Sequence, residues 1–149
     1  MRMNDSVTIC INGGRENIPE YGSSEAAGAD IRAGIVDPVS LAPGERALIP
    51  TGIRMAVPTG FEVQIRPRSG LALNKGLTVL NSPGTIDSDY RGELGIIIIN
   101  LGNEAVVIEP GERIAQMVVS PVVRATFQIV ETLPATGRGS GGFGSTGHQ

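Results

Sequence analysis

Apolar and polar positions along this chain of 149 residues alternate over short stretches that are repeatedly interrupted. Residues 61–67 (FEVQIRP) set Phe61, Val63 and Ile65 alternately with Glu62, Gln64 and Arg66, the period of a half-buried strand. Residues 6–11 (SVTICI) are rich in β-branched side chains and predict an opening strand, closed by Gly13-Gly14. In 26–34 (AAGADIRAG), Ile31 and Ala33 flank polar Arg32, and the small neighbours let backbone or a ligand come close. Two apolar runs follow later, LTVL (77–80) and LGIIIINL (94–101). The second is so uniformly apolar that it predicts a strand buried on both faces. Pro43-Gly44, Pro58-Thr59-Gly60 and Pro110-Gly111 punctuate the remaining apolar runs and predict scaffold hairpins. One segment reads as a short helix: Ser69 is a natural N-cap, Leu71, Ala72 and Leu73 are good helix formers, and Lys75-Gly76 marks the stop.

Composition sharpens this picture. The length suits one domain with a proper core, and 21 glycines with 10 prolines argue for many short strands and tight turns. A net charge of −3 offers no general attraction for nucleic acid, so an anionic ligand must meet a local basic cluster. The first residues lack a signal-peptide pattern and no apolar run approaches the ~18 residues of a membrane span. The expectation is a soluble cytoplasmic protein with no membrane partner. The lone cysteine, Cys10, excludes an intrachain disulfide and reads as a buried small hydrophobe. Aromatic residues are 3% of the chain and tryptophan is absent, so stacking on a ligand must rest on Phe61, Phe127, Phe143, Tyr21 or Tyr90.

Four stretches carry candidate chemistry. Residues 81–93 (NSPGTIDSDYRGE) lie between the two apolar runs. Pro83 fixes a φ angle there, Gly84 and Gly92 are read as supplying permissive ones, and Asp87 and Asp89 are carboxylates on a segment held between strands. A rigidly held carboxylate is what general-base chemistry requires, although loop aspartates also simply solvate turns. Arg68 stands before the helix N-terminus, where backbone N–H groups and a guanidinium fork together suit phosphate oxygens. In GERIAQMVV, Arg113 and Gln116 interrupt apolar residues; a buried arginine needs a carboxylate or phosphate, and Glu112 or Glu109 could equally pair with it at the surface. The end of the chain, RGSGGFGSTGHQ (138–149), is too glycine-rich to pack a core, yet carries Arg138, Phe143, Ser145 and Thr146. It lacks the lysine and spacing of a Walker A loop, and His148 reads as a solvated terminal residue.

Taken in order, AGAD around Asp30, PRSGLA (67–72), the central stretch, RIAQ (113–116) and RGSGGFGSTG (138–147) resemble the five signature motifs of the deoxyuridine triphosphatases (dUTPases). The resemblance implies an all-β, jelly-roll-like β-barrel with one short helix. It places the barrel domain at 1–135 and a flexible glycine-rich tail, closing over substrate, at 136–149. It implies a homotrimer whose three sites each draw motifs from all three chains. The reaction it implies is hydrolysis of dUTP to dUMP and pyrophosphate by water attack on the α-phosphorus, which limits uracil incorporation into DNA and supplies dUMP for thymidylate synthesis.

By the same resemblance, Asp87 is the general base. Tyr90 packs against the deoxyribose and leaves no room for a 2′-hydroxyl. Asn81 and the hairpin backbone at Gly84, Thr85 and Ile86 bind the uracil edge and exclude a 5-methyl group. Arg68, Ser69 and Gly70 hold phosphate oxygens with Gln116 nearby. Phe143 stacks on the base while Arg138, Gly144, Ser145 and Thr146 reach the outer phosphates. Mg²⁺ is held chiefly by the triphosphate and water, with Asp30 touching it through water and Arg113 fixing a carboxylate of the site. A dCTP deaminase shares the fold, but that group carries a glutamate where this chain has Ile97, which cannot move protons. A regulatory binding protein on the same scaffold is the other alternative, and the presence of both Asp87 and the tail argues against it.

Overall fold

The computed structural model describes residues 6–147; His148 lies outside the described residues. Among the described residues eleven strands form three antiparallel sheets of an all-β, jelly-roll-like barrel, joined by one short α-helix and a 3-10 turn. The first sheet runs β1 (Cys10–Gly13), β5 (Arg46–Ala56), β9 (Glu93–Asn100), β7 (Leu77–Val79). The second pairs β10 (Val106–Ile108) with β4 (Val39–Leu41). The third runs β2 (Glu20–Tyr21), β3 (Ala29–Arg32), β11 (Arg113–Pro121), β6 (Phe61–Arg66), β8 (Gly84–Ile86). Among the described residues no helix is long and apolar enough to cross a membrane.

Alternation within the strands builds the core. Val63 and Ile65 of β6, Leu94, Ile96 and Ile98 of β9, and Ile49, Ile53 and Met55 of β5 all point inward. Two buried polar side chains are fully satisfied, as burial demands. The Thr51 hydroxyl donates to the Leu94 carbonyl. Asn100 donates to the carbonyls of Leu41 at 2.9 Å and Glu104 at 2.8 Å and accepts from the Gly102 amide at 2.9 Å, so one carboxamide ties β4 to the turn that follows β9.

Several expectations change here. The run 94–101 is not buried on both faces: Gly95, Ile97 and Ile99 are half-exposed in the single chain, and only the even positions to Asn100 are buried. Gly44, Gly60 and Gly111 do turn the chain with positive φ, but the strands they join do not pair with each other. Each turn hands the chain from one sheet to another, as a jelly roll requires, so these are not hairpins. The opening strand starts later than Ser6, at Cys10, and Cys10 is exposed. It sits on an edge strand whose other face, through Ile9 and Ile11, packs on the core. The helix α1 spans Ser69–Lys75, but Arg68 is its N-cap and no side chain caps it; Ser69 is already helical. Its end is as expected, with Gly76 left-handed at φ 68°.

Candidate active site

The third sheet gathers most of the basic cluster. Asp30 on β3 lies opposite Gln116 on β11, and Gln116 in turn lies opposite Arg66 on β6. Ile114 is an extra residue in the β3–β11 register, a β-bulge between Arg113 and Ala115. Ile114 and Ala115 are therefore both buried, while Arg113 and Gln116 turn outward on either side of them. Bulges re-aim side chains in this way beside functional sites. The sequence did carry a signal for it: polar residues three apart around two apolar ones break the two-residue period of a strand.

Asp30 is the hub. Its Oδ1 lies 3.1 Å from Arg68 Nε and its Oδ2 3.6 Å from Arg113 Nη1. Arg68 also donates to the Arg113 carbonyl at 3.4 Å. Arg113 thus has the carboxylate partner its motif suggested, although its side chain is half-exposed rather than buried. Glu112 is taken by Lys75 at 3.5 Å and by the Glu109 amide at 2.9 Å. Gln116 donates to the Pro67 carbonyl at 3.0 Å, tying β11 to the residue just before Arg68. That geometry depends on Gly28, because a Cβ there would collide with Gln116 Oε1 and lie 2.9 Å from its Cδ. Ser69 and Gly70 follow, exposed on the first turn of α1. A cavity of about 450 Å³ opens beside Gln116, lined also by Arg66, Pro67, Ser82 and Pro83.

The hairpin holds a second group. β8 pairs with β6, setting Gly84 opposite Ile65, Thr85 opposite Gln64 and Ile86 opposite Val63. Ile86 packs on the core, and Asp87 follows immediately at the surface. The turn after it is closed by the Tyr90 amide on the Asp87 carbonyl at 3.2 Å and by Arg91, whose guanidinium donates to the carbonyls of Ser88 at 2.7 Å and Tyr90 at 3.0 Å. Neither Gly84 nor Gly92 has a positive φ, so the conformational role assigned to them does not hold. Space distinguishes them: a Cβ on Gly84 would sit tightly, 3.2 Å from Ile65 Cβ, whereas one on Gly92 would strike the Tyr90 side chain as it now stands. Asn81, Thr85 and Tyr90 are exposed.

Asp87 borders a cavity of about 670 Å³ with Phe61, Glu62, Asp89 and Arg124. Gln116 borders a different one. Arg138, Phe143, Gly144, Ser145 and Thr146 join neither; residues 136–147 form successive turns whose hydrogen bonds run among themselves, with Phe143 fully exposed. The sequence marks the small neighbours of Asp30 and the PRSGLA stretch, without the particular roles of the Gly28 space and the Pro67 carbonyl; Arg124, beyond the last strand, it does not mark at all.

Among the described residues no three His, Cys, Asp or Glu side chains gather to hold a metal ion. With both Asp30 oxygens facing guanidinium groups, the donor set suits an ion that arrives with an anionic ligand rather than one caged by protein.

The chain is thus a jelly roll with a carboxylate-held pair of arginines at one sheet and a separate carboxylate on a braced turn. The sequence profile of the dUTPase family matches residues 15–147, and the chain belongs to that family. It is 66% identical over 131 residues to the deoxyuridine 5′-triphosphate nucleotidohydrolase of Roseobacter denitrificans, covering 87% of this chain and 86% of that one. It is 63% identical over 131 residues to the enzyme of the same name from Chlamydia pneumoniae, covering 87% and 90%. Among solved structures, a point mutant of the dUTPase of Staphylococcus bacteriophage 80alpha with dUpNHpp superposes with a TM-score of 0.84 at 28% identity, covering 95% of this chain and 99% of the phage chain. A point mutant of the dUTPase of phage phi11 of S. aureus, described with a structural Mg(II) ion, superposes at 0.74 with 25% identity, covering 84% and 97%.

Proposed function

We propose that the protein hydrolyses dUTP to dUMP and pyrophosphate, acting as a cytoplasmic dUTP diphosphatase that keeps uracil out of DNA and supplies dUMP. The observation that carries this reading is the family match, which runs unbroken from residue 15 to residue 147 and so includes the hairpin, the arginine cluster and the tail. Asp87 is the general base: the strand pairing of β8 and the braced turn behind it fix the backbone that carries its carboxylate, which takes the proton of the water attacking the α-phosphorus. Arg68, Ser69, Gly70 and Gln116 hold phosphate oxygens, and Asp30 keeps the Arg68 and Arg113 guanidinium groups aligned before substrate arrives. Asn81 with the backbone of Gly84, Thr85 and Ile86 reads the uracil edge, and Tyr90 walls the sugar. Asp30 would help hold a Mg²⁺ ion arriving with the triphosphate, and the ion would supply neutralisation of phosphate charge.

The functional unit in this reading is a homotrimer with shared sites. Asp87 and Gln116 border separate cavities of one chain, which suits a site completed by another copy. The segment after Pro121 has no regular structure and exposes Phe127 at 93% and Ile129 at 100%, apolar surface suited to a neighbouring subunit. In this reading the barrel unit is placed at 1–135 and the tail at 136–149, of which 1–5 and 148–149 lie outside the described residues, and the tail brings Arg138, Phe143, Gly144, Ser145 and Thr146 over substrate as a lid.

The test is pyrophosphate release with Mg²⁺ from dUTP, dTTP, dCTP and UTP, on the intact protein and on Asp87→Asn. Rapid turnover of dUTP alone, lost in the variant, is expected. Consumption of dCTP, or full dUTP turnover without the carboxylate, would overturn the assignment.

A further inference from the structure

The Tyr90 ring does not stand free on its turn. Its hydroxyl donates to the Glu93 carbonyl at 2.9 Å, folding the side chain back along the chain that follows it. The ring then occupies the space where residue 92 would carry a side chain. A Cβ on Gly92 would overlap the Tyr90 hydroxyl and lie 2.6 Å from Cζ and 3.0 Å from Cε2. The backbone of Gly92 lies outside the left-handed region, so alanine fits there conformationally. The three atoms nearest that Cβ all belong to the Tyr90 side chain. Because Tyr90 is 45% exposed, the ring can swing away into solvent, so an added methyl would move Tyr90 rather than unfold the hairpin.

We infer that Gly92 is a specificity-determining positioning residue: by having no side chain it lets the Tyr90 ring dock on the Glu93 carbonyl, and so sets how closely the ring approaches the 2′ carbon of the sugar. This rests on the reading of Tyr90 as the sugar wall. The role is separate from catalysis, since Gly92 touches neither the attacked phosphorus nor the base. A displaced ring no longer fills the space of a 2′-hydroxyl, so the penalty against a ribonucleotide falls while the Asp87 chemistry is kept.

The experiment measures kcat/KM for dUTP and UTP by pyrophosphate release on wild type, Gly92→Ala, Tyr90→Ala and the double variant. Gly92→Ala should lower the dUTP-to-UTP ratio by about tenfold or more, with an unfolding midpoint close to wild type. The double variant should discriminate no worse than Tyr90→Ala alone. A ratio unchanged in Gly92→Ala but lowered in Tyr90→Ala overturns the inference and leaves the sugar-wall reading standing. A ratio unchanged in Tyr90→Ala removes both. Should Gly92→Ala not accumulate as folded protein, Tyr90→Phe decides the matter by removing the bond to Glu93: a lowered ratio supports the docked ring, an unchanged one refutes it.

Discussion

Asp30→Asn separates the charge of the arginine cluster from its shape. Asparagine keeps the volume but loses the negative charge shared by Arg68 at 3.1 Å and Arg113 at 3.6 Å. At an effective dielectric of ~20 the two Coulomb energies are about 5 and about 4.5 kcal/mol, too close for distance to rank them. Solvent ranks them instead. The Asp30 side chain is 17% exposed, that of Arg68 31% and that of Arg113 50%. The Arg113 pair is therefore close to a surface pair, worth ~0.5 kcal/mol. The Arg68 pair, short enough for a charge-assisted hydrogen bond, retains about 1.5 kcal/mol. Their sum, about 2 kcal/mol, corresponds to a fall of about 4–8 °C in unfolding midpoint for a chain of this size. Urea unfolding at fixed protein concentration, in double-mutant cycles with Arg68→Met and Arg113→Met, should give a coupling to Arg68 larger by about 1 kcal/mol. Equal couplings, a larger one to Arg113, or unchanged stability in Asp30→Asn would refute the reasoning.

Other substitutions probe the remaining supports. Gly28→Ala should displace Gln116 from the Pro67 carbonyl and lower kcat/KM about tenfold, with little further loss in Gly28→Ala/Gln116→Ala than in Gln116→Ala alone; independent, additive losses would refute it. Asn100→Ala leaves two carbonyls and one amide without their side-chain partner and should cost about 3–5 kcal/mol in chemical denaturation; a cost under about 1 kcal/mol would mean water replaces all three. Deleting residues from 137 onward should leave the unfolding midpoint unchanged, because that segment bonds mainly to itself, while dUTP turnover collapses. Retained turnover would remove the tail from the site.

Much of the fold was legible because its signals are local. The β6 alternation, the Gly76 helix stop and the positive-φ turns at Gly44, Gly60 and Gly111 each follow from a few neighbouring residues. Strand partners did not follow, because nothing local to Pro43-Gly44 says that β4 pairs with β10 instead of β5. The face of Cys10 depended on its parity with Ile9 and Ile11, and starting the strand at Ser6 concealed its position on an edge. Arg113 was identified as needing an anionic partner, but choosing Asp30 over Glu112 required the bulge at Ile114, which turns Arg113 toward β3. For Gly84 and Gly92 the residue type was informative and the reason was not: glycine there makes room for Ile65 and Tyr90, contacts visible only once the chain is folded.

On the proposed reading no single chain holds a whole site. It is tested most directly by refolding equal amounts of Asp87→Asn and tail-deleted chains together and measuring dUTP turnover. Each parent alone should be inactive. If a trimer builds each site from different chains, a site in the mixture works when its hairpin comes from one parent and its tail from the other, and about one quarter of wild-type activity should return. Recovery near zero in properly mixed trimers would contradict the account and place hairpin and tail of each site on the same chain.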